Sequence, residues 1–194
     1  MVTAIILAAG FSRRFGSEKL LIKLDGKPII AHVIETIIKS EFKEIILVYQ
    51  NEDIKKIAEN YNVQHVYNES AITGMSSSIK CAIMKASETD AYMFINGDQP
   101  FINSHVVEDL ITTFNYKKES IIVPRYNGER GNPVIFGSKW KNDFLKITGD
   151  IGGRNIINDN KEEVYYLDIT ENKWGLDIDT KEDYLIIKEL NDNE

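Results

Sequence analysis

Short apolar runs alternate with amphipathic stretches through the first 115 residues of the chain. Four runs of strand length predict strands buried in a sheet, at residues 2–7, 45–48, 63–67 and 91–95. Four stretches with apolar residues at helical spacing predict helices, at residues 28–40, 51–61, 75–86 and from the capping residue Asn103 onward. This alternation predicts a single doubly wound α/β domain over residues 1–194, with a mostly parallel, Rossmann-like sheet and helices on both faces.

The pattern is less regular after residue 120. Three further strands are predicted, at residues 121–123, 133–136 and 164–169, with a polar loop over residues 125–132. A glycine-rich loop at residues 148–154 precedes a short helix. The T-x-x-D spacing of Thr180 and Asp183 predicts the N-terminal cap of a last helix, and the acidic residues 191–194 predict a frayed tail.

Composition limits the class of protein without identifying it. Apolar residues at 43% and charged residues at 27% are ordinary globular values, and a net charge of −7 disfavours a nucleic-acid-binding surface. The single cysteine, Cys81, fits a reducing compartment. The sequence shows neither an apolar run of membrane-spanning length nor a signal-peptide pattern. We therefore expect a cytoplasmic protein that binds neither nucleic acid nor membranes.

A polar loop at residues 7–19 directly follows the first predicted strand. It holds two glycines together with Arg13, Arg14 and Lys19, so bare backbone N–H groups and positive charge are placed together, as an anion site requires. The spacing of its glycines fits neither the G-x-G-x-x-G dinucleotide motif nor the Walker A motif. A long connection of this composition is more often functional than structural.

The same loop, LAAGFSRRFGSEK, resembles the L-A-A-G-x-S-x-R-M-G-x-x-K signature of MobA-like nucleotidyltransferases. The main departure is Phe15, where that signature has methionine. The resemblance implies that the backbone of this loop surrounds a nucleoside triphosphate, whose charge is neutralised by Arg14 and Lys19. The nucleotide-binding residues that it implies in this loop are Leu7, Ala8, Ala9, Gly10, Arg14 and Lys19.

Two acidic segments complete the implied reaction centre. Asp98, in Gly-Asp-Gln-Pro, follows a predicted central strand and is expected at the carboxyl edge of the sheet, where open α/β folds bind ligands. The segment resembles the family's magnesium site, in the form typical of its molybdenum cofactor cytidylyltransferase branch. The resemblance implies that Arg14, Lys19 and Asp98 are catalytic and that Asp98 and Asp177 bind Mg²⁺. Asp179 is interpreted as a helix-capping residue.

Three further segments resemble the same branch. Gly74-Met75-Ser76-Ser77-Ser78 offers hydroxyl and N–H groups at a helix N-terminus, and its resemblance implies that Gly74 and Ser78 bind the nucleotide. The R-G-N-P and G-D-x-G-x-R segments face the acceptor substrate in that branch. The acceptor-binding residues that they imply are Arg130, Asn132, Gly152, Gly153 and Arg154.

The resemblance implies transfer of CMP from CTP to the terminal phosphate of molybdopterin cofactor, with release of pyrophosphate. A phosphate monoester is already an anionic nucleophile near neutral pH, so such a reaction needs no catalytic base. Ala9 matches the cytidylyl form, since guanylyl relatives have glycine there and its Cβ would crowd a purine. The alternatives are a guanylyltransferase, a sugar-1-phosphate nucleotidyltransferase of the same fold, and a non-catalytic nucleotide-binding accessory of a molybdoenzyme. A molybdoenzyme or its chaperone is a further partner that the resemblance implies.

Overall fold

The computed structural model of the chain describes residues 1–192. Its strands are β1 (Val2–Ala8), β2 (Lys23–Leu24), β3 (Lys27–Pro28), β4 (Glu44–Tyr49), β5 (Gln64–Tyr67), β6 (Ala91–Asn96), β7 (Ile121–Tyr126), β8 (Glu129–Arg130), β9 (Val134–Gly137) and β10 (Val164–Ile169). Its α-helices are α1 (Ile29–Ile37), α2 (Glu52–Ala58), α3 (Met75–Lys85), α4 (Ser104–Tyr116), α5 (Lys141–Phe144), α6 (Arg154–Asp159) and α7 (Lys181–Asp192). Short 3₁₀ turns lie between several of them.

One mostly parallel sheet organises the chain. Its strand order is β10-β7-β9-β6-β1-β4-β5, with β8 paired to β7. The central strand β1 runs parallel to β4 on one side and to β6 on the other, and Leu7 lies opposite both Val48 and Asn96. Because all but one residue of β1 is buried, its apolar run has no alternation, as predicted for a strand covered on both faces.

Helices cover both faces of this sheet. On one face, buried residues of α1, α2, α4 and α7 pack with β1 and β6 in one apolar cluster. On the other face, α3, α5 and α6 pack with β4, β7 and β9 in a second cluster that contains Phe94, Phe136 and Phe144. The doubly wound α/β fold predicted from the sequence is confirmed. Among the described residues, no helix is long and apolar enough to cross a membrane.

The prediction of a polar loop at residues 125–132 was wrong in part, because residues 125–126 and 129–130 are in strands and only 127–128 and 131–132 are not. Strand β7 continues to Tyr126, and β8 pairs with it in a tight hairpin. The charged side chains of this hairpin face solvent near the sheet edge: Arg125 forms a two-pronged ion pair with Asp168 of β10, with both nitrogen–oxygen distances 2.7 Å. Polar composition was therefore mistaken for irregular structure, although strands near a sheet edge often carry charge.

The last helix begins as predicted and extends further than predicted. Asp183 Oδ2 accepts hydrogen bonds from the Thr180 backbone N–H and hydroxyl, at 2.7 and 2.9 Å, which confirms the cap. The helix continues through Asp192, so the frayed tail predicted at residues 191–194 does not begin at Asn191. The last two positions of that prediction, 193 and 194, lie outside the described residues.

Candidate active site

A cavity of about 540 Å³ opens where β1 and β6 end. At this point the chain reverses the direction in which it adds strands, since β4 and β5 lie on one side of β1 and β6 on the other. Such switch points are the usual ligand sites of open α/β sheets. The residues lining the cavity are Leu7, Ala9, Gly10, Phe11, Ser12, Arg13, Arg14, Lys19, Leu20, Ala71, Ile72, Thr73, Gly74, Met75, Ser78, Asn96, Asp98, Asp150, Asp177 and Asp179.

The loop after β1 is anchored by two buried side chains and folded by its own hydrogen bonds. Phe15 and Leu20 are buried in the core, which explains why an apolar residue suffices at position 15. The Ser12 carbonyl accepts from the N–H groups of Phe15 and Gly16, and the Ser12 hydroxyl accepts from the Lys19 N–H at 3.2 Å. Ser12 has a φ of +48°, a backbone conformation that closes this turn. The basic side chains of the loop therefore lie along the cavity.

A chain of alternating charges runs from this loop across the cavity. Arg14 Nη1 lies 2.9 Å from Asp179 Oδ2, and Lys19 Nζ lies 3.0 Å from Asp179 Oδ1 and 2.6 Å from Asp98 Oδ2. Lys19 is mostly buried, and its carboxylate partners raise the pKa of its ammonium even though burial acts in the opposite direction. Arg14 is exposed at the rim. Both cations predicted from the sequence therefore reach the cavity.

Two hydrogen bonds, one between main-chain groups and one from a side chain, hold the two acidic segments together. The Ile178 N–H donates to the Asp98 carbonyl at 3.1 Å, and Gln99 Nε2 donates to the Gly175 carbonyl at 3.3 Å. Gln99 is almost fully buried, so this link is shielded from water. The turn that carries Asp98 is therefore held against the segment that carries Asp177 and Asp179.

The interpretation of Asp179 as a helix cap was wrong. Its side chain binds Lys19 and Arg14, while Asp183 and Thr180 form the cap. Asp177 and Asp179 both line the cavity, and Ile178 between them is fully buried, which is the alternation of an extended segment. The D-x-D spacing was a sequence signal that could have identified Asp179.

Two observations show that Asp98 and Asp177 suit a divalent cation. Asp98 Oδ1 is buried without a hydrogen-bond partner among the described residues. The pKa of the Asp177 carboxyl is raised by loss of solvent and by repulsion from Asp98 and Asp179. Within residues 1–192 no group of three or more His, Cys, Asp or Glu side chains could hold a metal ion by itself. Two carboxylates fit Mg²⁺, which commonly keeps its other coordination positions for substrate oxygens and water.

The N-terminus of α3 forms the opposite wall. Gly74 has a φ of +104°, and a Cβ there would lie 2.5 Å from the Gly149 carbonyl carbon, so only glycine allows the two segments to meet. The Met75 N–H donates to Asp150 Oδ1 at 3.2 Å. Ser78 is nearly buried and faces the cavity from the first turns of this helix. Met75, the first residue of α3, is exposed and lines the cavity.

Not every residue predicted to bind nucleotide lines the cavity. Leu7, Ala9 and Gly10 do, but the Ala8 side chain is fully buried in the core on the other face of the sheet. Successive residues of a strand point to opposite faces, so Ala8 can offer only its backbone. The sequence reasoning also missed Phe11, Asn96 and Asp150, which line the cavity.

The residues predicted to bind the acceptor do not line the cavity. Arg130 Nη1 donates to Asn158 Oδ1 at 2.8 Å, and the Asn132 carbonyl accepts from the Tyr126 hydroxyl at 2.9 Å. The backbone of Gly152 approaches Met75, whereas Gly153 packs so closely on Phe136 that a Cβ would lie 2.3 Å from the ring. Gly153 is thus explained by packing, and Arg154 is exposed at the start of α6.

Comparison with known proteins identifies the family. Residues 4–164 match the model of the MobA-like NTP transferase domain. The chain belongs to the MobA-like NTP transferase family. A relative from Natranaerobius thermophilus, named "Probable molybdenum cofactor guanylyltransferase", is 30% identical over 180 residues, which cover 88% of this chain and 82% of the relative.

Solved structures show the same fold for this MobA-like protein. A nucleotidyl transferase from Methanothermobacter superposes with a TM-score of 0.86 at 18% identity, over 100% of this chain and 98% of the other. A Mycobacterium tuberculosis protein described as a complex with manganese has a TM-score of 0.81 at 20% identity, over 97% of this chain and 98% of the other.

Proposed function

We propose that this MobA-like protein transfers a nucleoside monophosphate from a nucleoside triphosphate to the terminal phosphate of molybdopterin cofactor. The observation that carries the proposal is the charge chain of Arg14, Asp179, Lys19 and Asp98 across a cavity at the carboxyl ends of β1 and β6. The names of relatives such as the one from Natranaerobius thermophilus support molybdopterin as the acceptor. The proposal treats residues 1–194 as one catalytic domain.

The proposed reaction exchanges one phosphorus–oxygen bond for another. An oxygen of the acceptor phosphate attacks the α-phosphorus of the triphosphate, and the bond to the β-phosphate breaks with release of pyrophosphate. Both reactants are anions, so the main task of the protein is to neutralise and orient them. Lys19 and Arg14, with the N–H groups around Gly10, would hold the triphosphate. Asp98 and Asp177 would hold Mg²⁺, which supplies charge neutralisation at the phosphates when bound.

Asp179 changes partners in this proposal. Its carboxylate lies against both cations that a triphosphate needs. A triphosphate bound at these two cations would compete with Asp179 for their N–H donors, so nucleotide binding would weaken part of its contacts. The carboxylate keeps Lys19 and Arg14 oriented and compensated before the nucleotide binds.

Cytosine is the base that we propose. Ala9 lines the cavity and is 4% exposed, and its Cβ would leave less room for a purine than a glycine would. Guanine is the second candidate, because several relatives are named "Probable molybdenum cofactor guanylyltransferase". The variant Ala9→Gly separates the two: removing the Cβ should raise the rate with GTP relative to CTP.

Pyrophosphate release tests the proposal. The purified protein would receive CTP, GTP, ATP or UTP with Mg²⁺, each combined with molybdopterin cofactor or with a sugar 1-phosphate. We expect release only with molybdopterin cofactor and fastest with CTP, and a loss of at least about 100-fold in Asp98→Ala. Both proteins would be assayed below the temperature at which thermal unfolding of the variant begins, so that both are folded. Release with sugar 1-phosphate but not with molybdopterin cofactor would contradict the proposed acceptor. Nucleotide binding without release in every combination would indicate a non-catalytic accessory.

A further inference from the structure

A buried amide, that of Asn68, lies behind the wall of the cavity that the N-terminus of α3 forms. Asn68 follows β5 and is 4% exposed, and its backbone N–H donates to the Tyr49 carbonyl at 2.8 Å, which continues the pairing of β5 with β4. The residue does not line the cavity. Its position is thus fixed by the sheet, and its side chain extends toward α3.

The hydrogen bonds of Asn68 fix which way its amide faces. Asn68 Oδ1 accepts from the Ser70 N–H at 3.0 Å, so the amide nitrogen must point the other way. Asn68 Nδ2 lies 2.9 Å from Ser77 Oγ and 2.9 Å from Ser78 Oγ. An amide nitrogen has two hydrogens, and both are used by these two hydroxyl oxygens.

The two serines then differ in what their own hydrogens can do. The Ser77 hydroxyl donates to the Gly74 carbonyl at 2.8 Å, so its hydrogen is engaged within α3. The Ser78 hydroxyl accepts from Asn68, and within residues 1–192 its hydrogen has no acceptor. Ser78 lines the cavity, whereas Ser77 does not. The Ser78 hydroxyl hydrogen, the one donor of this network without an acceptor among the described residues, is therefore on the residue that lines the cavity.

We propose that Asn68 is a positioning residue for nucleotide recognition. By donating to Ser78 Oγ it makes that hydroxyl a dedicated hydrogen-bond donor toward the cavity, suited to an acceptor atom of the nucleoside, such as a base carbonyl, a ring nitrogen or a ribose oxygen. The Asn68 amide itself touches no substrate. This inference rests on the proposed binding of a nucleoside triphosphate in the cavity and adds to it a residue that determines the polarity of one contact.

The substitution Asn68→Asp reverses that polarity with almost no change in shape. In the variant, one carboxylate oxygen still accepts from the Ser70 N–H. The other oxygen replaces the amide nitrogen, so it accepts a hydrogen bond from the Ser78 hydroxyl, whereas the nitrogen donated one. The Ser78 hydrogen then turns away from the cavity. We expect the KM for CTP to rise about 3- to 10-fold with kcat nearly unchanged, because one contact common to the ground state and the transition state is lost.

A double-mutant cycle distinguishes positioning from a structural role. Ser78→Ala should lower the affinity for CTP by the same factor as Asn68→Asp, and the double variant should lose no more than either single variant. Ser77→Ala is the matched control, because the Ser77 hydroxyl also accepts from Asn68 but donates its hydrogen to the Gly74 carbonyl, and Ser77 does not line the cavity. The affinity of this variant for CTP should equal that of the original protein. Affinities for CTP and GTP would be measured by calorimetry without acceptor, with thermal unfolding as the folding check.

The outcomes separate this inference from the proposed function. If the original protein binds neither CTP nor GTP, the proposed function fails and the inference falls with it. If it binds nucleotide but Ser78→Ala leaves the affinity unchanged, the inference alone is overturned. Additive losses in the double variant, or an equal loss in Ser77→Ala, also overturn it, because Asn68 would then act through the general order of α3. Equal, non-additive losses at Asn68 and Ser78 support it.

Discussion

The ammonium of Lys19 lies 2.6 Å from Asp98 Oδ2, and the two side chains are only 13% and 16% exposed. The pair joins a cation proposed to bind phosphate with a carboxylate proposed to bind a metal ion. Each therefore compensates the charge of the other before substrates bind. Removal of one partner leaves a largely buried charge without its nearest counter-charge, which is costly.

Lys19→Met should show this cost directly. We expect the free energy of unfolding to fall by about 1–3 kcal/mol when measured by urea titration with a chelator, because Asp98 loses its closest counter-charge. Mg²⁺ should restore part of that loss, since a divalent ion can replace the ammonium.

Lys27→Met is the matched control for Lys19→Met. Lys27 forms a pair of similar length with Glu35, 2.7 Å, but both side chains are more exposed. Its removal should cost less than about 1 kcal/mol and give no response to Mg²⁺. Equal losses in the two variants, or no effect of Mg²⁺ on Lys19→Met, would contradict the argument.

The sequence predicted the elements of this fold better than it predicted the direction of side chains in the site. Long apolar runs and helical stripes depend on burial alone, so β1, β6 and α4 could be predicted from local pattern. Whether Asp179 caps a helix or binds Lys19 depends on a residue 160 positions away, which no local pattern contains. The prediction of a loop at residues 125–132 failed in part for the same reason, since Arg125 and Asp168 are brought together only by the sheet.

Asp179 and Asp183 should respond differently to substitution. Asp179→Asn removes the carboxylate that competes with a triphosphate for Arg14 and Lys19, so we expect metal-free CTP to bind a few-fold more tightly. Asp183→Ala removes the cap of α7 and should lower the free energy of unfolding by about 1–2 kcal/mol.

Calorimetry with CTP and urea unfolding of both variants separate these effects. The interpretation of Asp179 as a site residue is supported when affinity changes only in Asp179→Asn and stability changes mainly in Asp183→Ala. If Asp179→Asn lost stability like a cap variant and left the affinity unchanged, the interpretation would be wrong.

The raised pKa of Asp177 gives stability a definite pH dependence. In the folded protein the carboxyl holds its proton more tightly than at its ordinary pKa of 3.8, so protonation favours folding. The stability that this protonation contributes is fully present below the ordinary pKa and is lost as pH rises through the higher pKa of the folded protein. Without metal, Asp177→Asn should therefore be more stable than the original protein at neutral pH, and the difference should shrink on acidification.

Asp168→Asn is a control of opposite sign for Asp177→Asn. Arg125 lowers the pKa of the Asp168 carboxyl, so its contribution is present above the ordinary value and is lost as pH falls through the lower folded pKa. This variant should be less stable than the original protein at neutral pH. Urea unfolding with a chelator from about pH 4 to about pH 8 would measure both series, and differences of the same sign would refute the assignment.

Two arginines near one tyrosine ring allow a test of where the acceptor substrate binds. The guanidinium carbons of Arg125 and Arg130 lie 4.9 and 5.7 Å from the centre of the Tyr166 ring. Arg125 is neutralised by Asp168, whereas Arg130 donates to the uncharged amide of Asn158, and among the described residues no carboxylate pairs with it. Arg130 thus keeps a net positive charge available for an anionic acceptor, although it lies outside the cavity.

Arg130→Gln should accordingly raise the KM for molybdopterin cofactor about tenfold while the KM for CTP stays unchanged, because a charge-assisted contact to one substrate is lost. Arg125→Gln should leave both KM values unchanged, since its guanidinium is already paired. Steady-state pyrophosphate release with each substrate varied in turn measures the two constants separately. A rise in the KM for CTP, or an equal effect of the two variants, would show that Arg130 serves the sheet edge and that the acceptor binds elsewhere along the cavity.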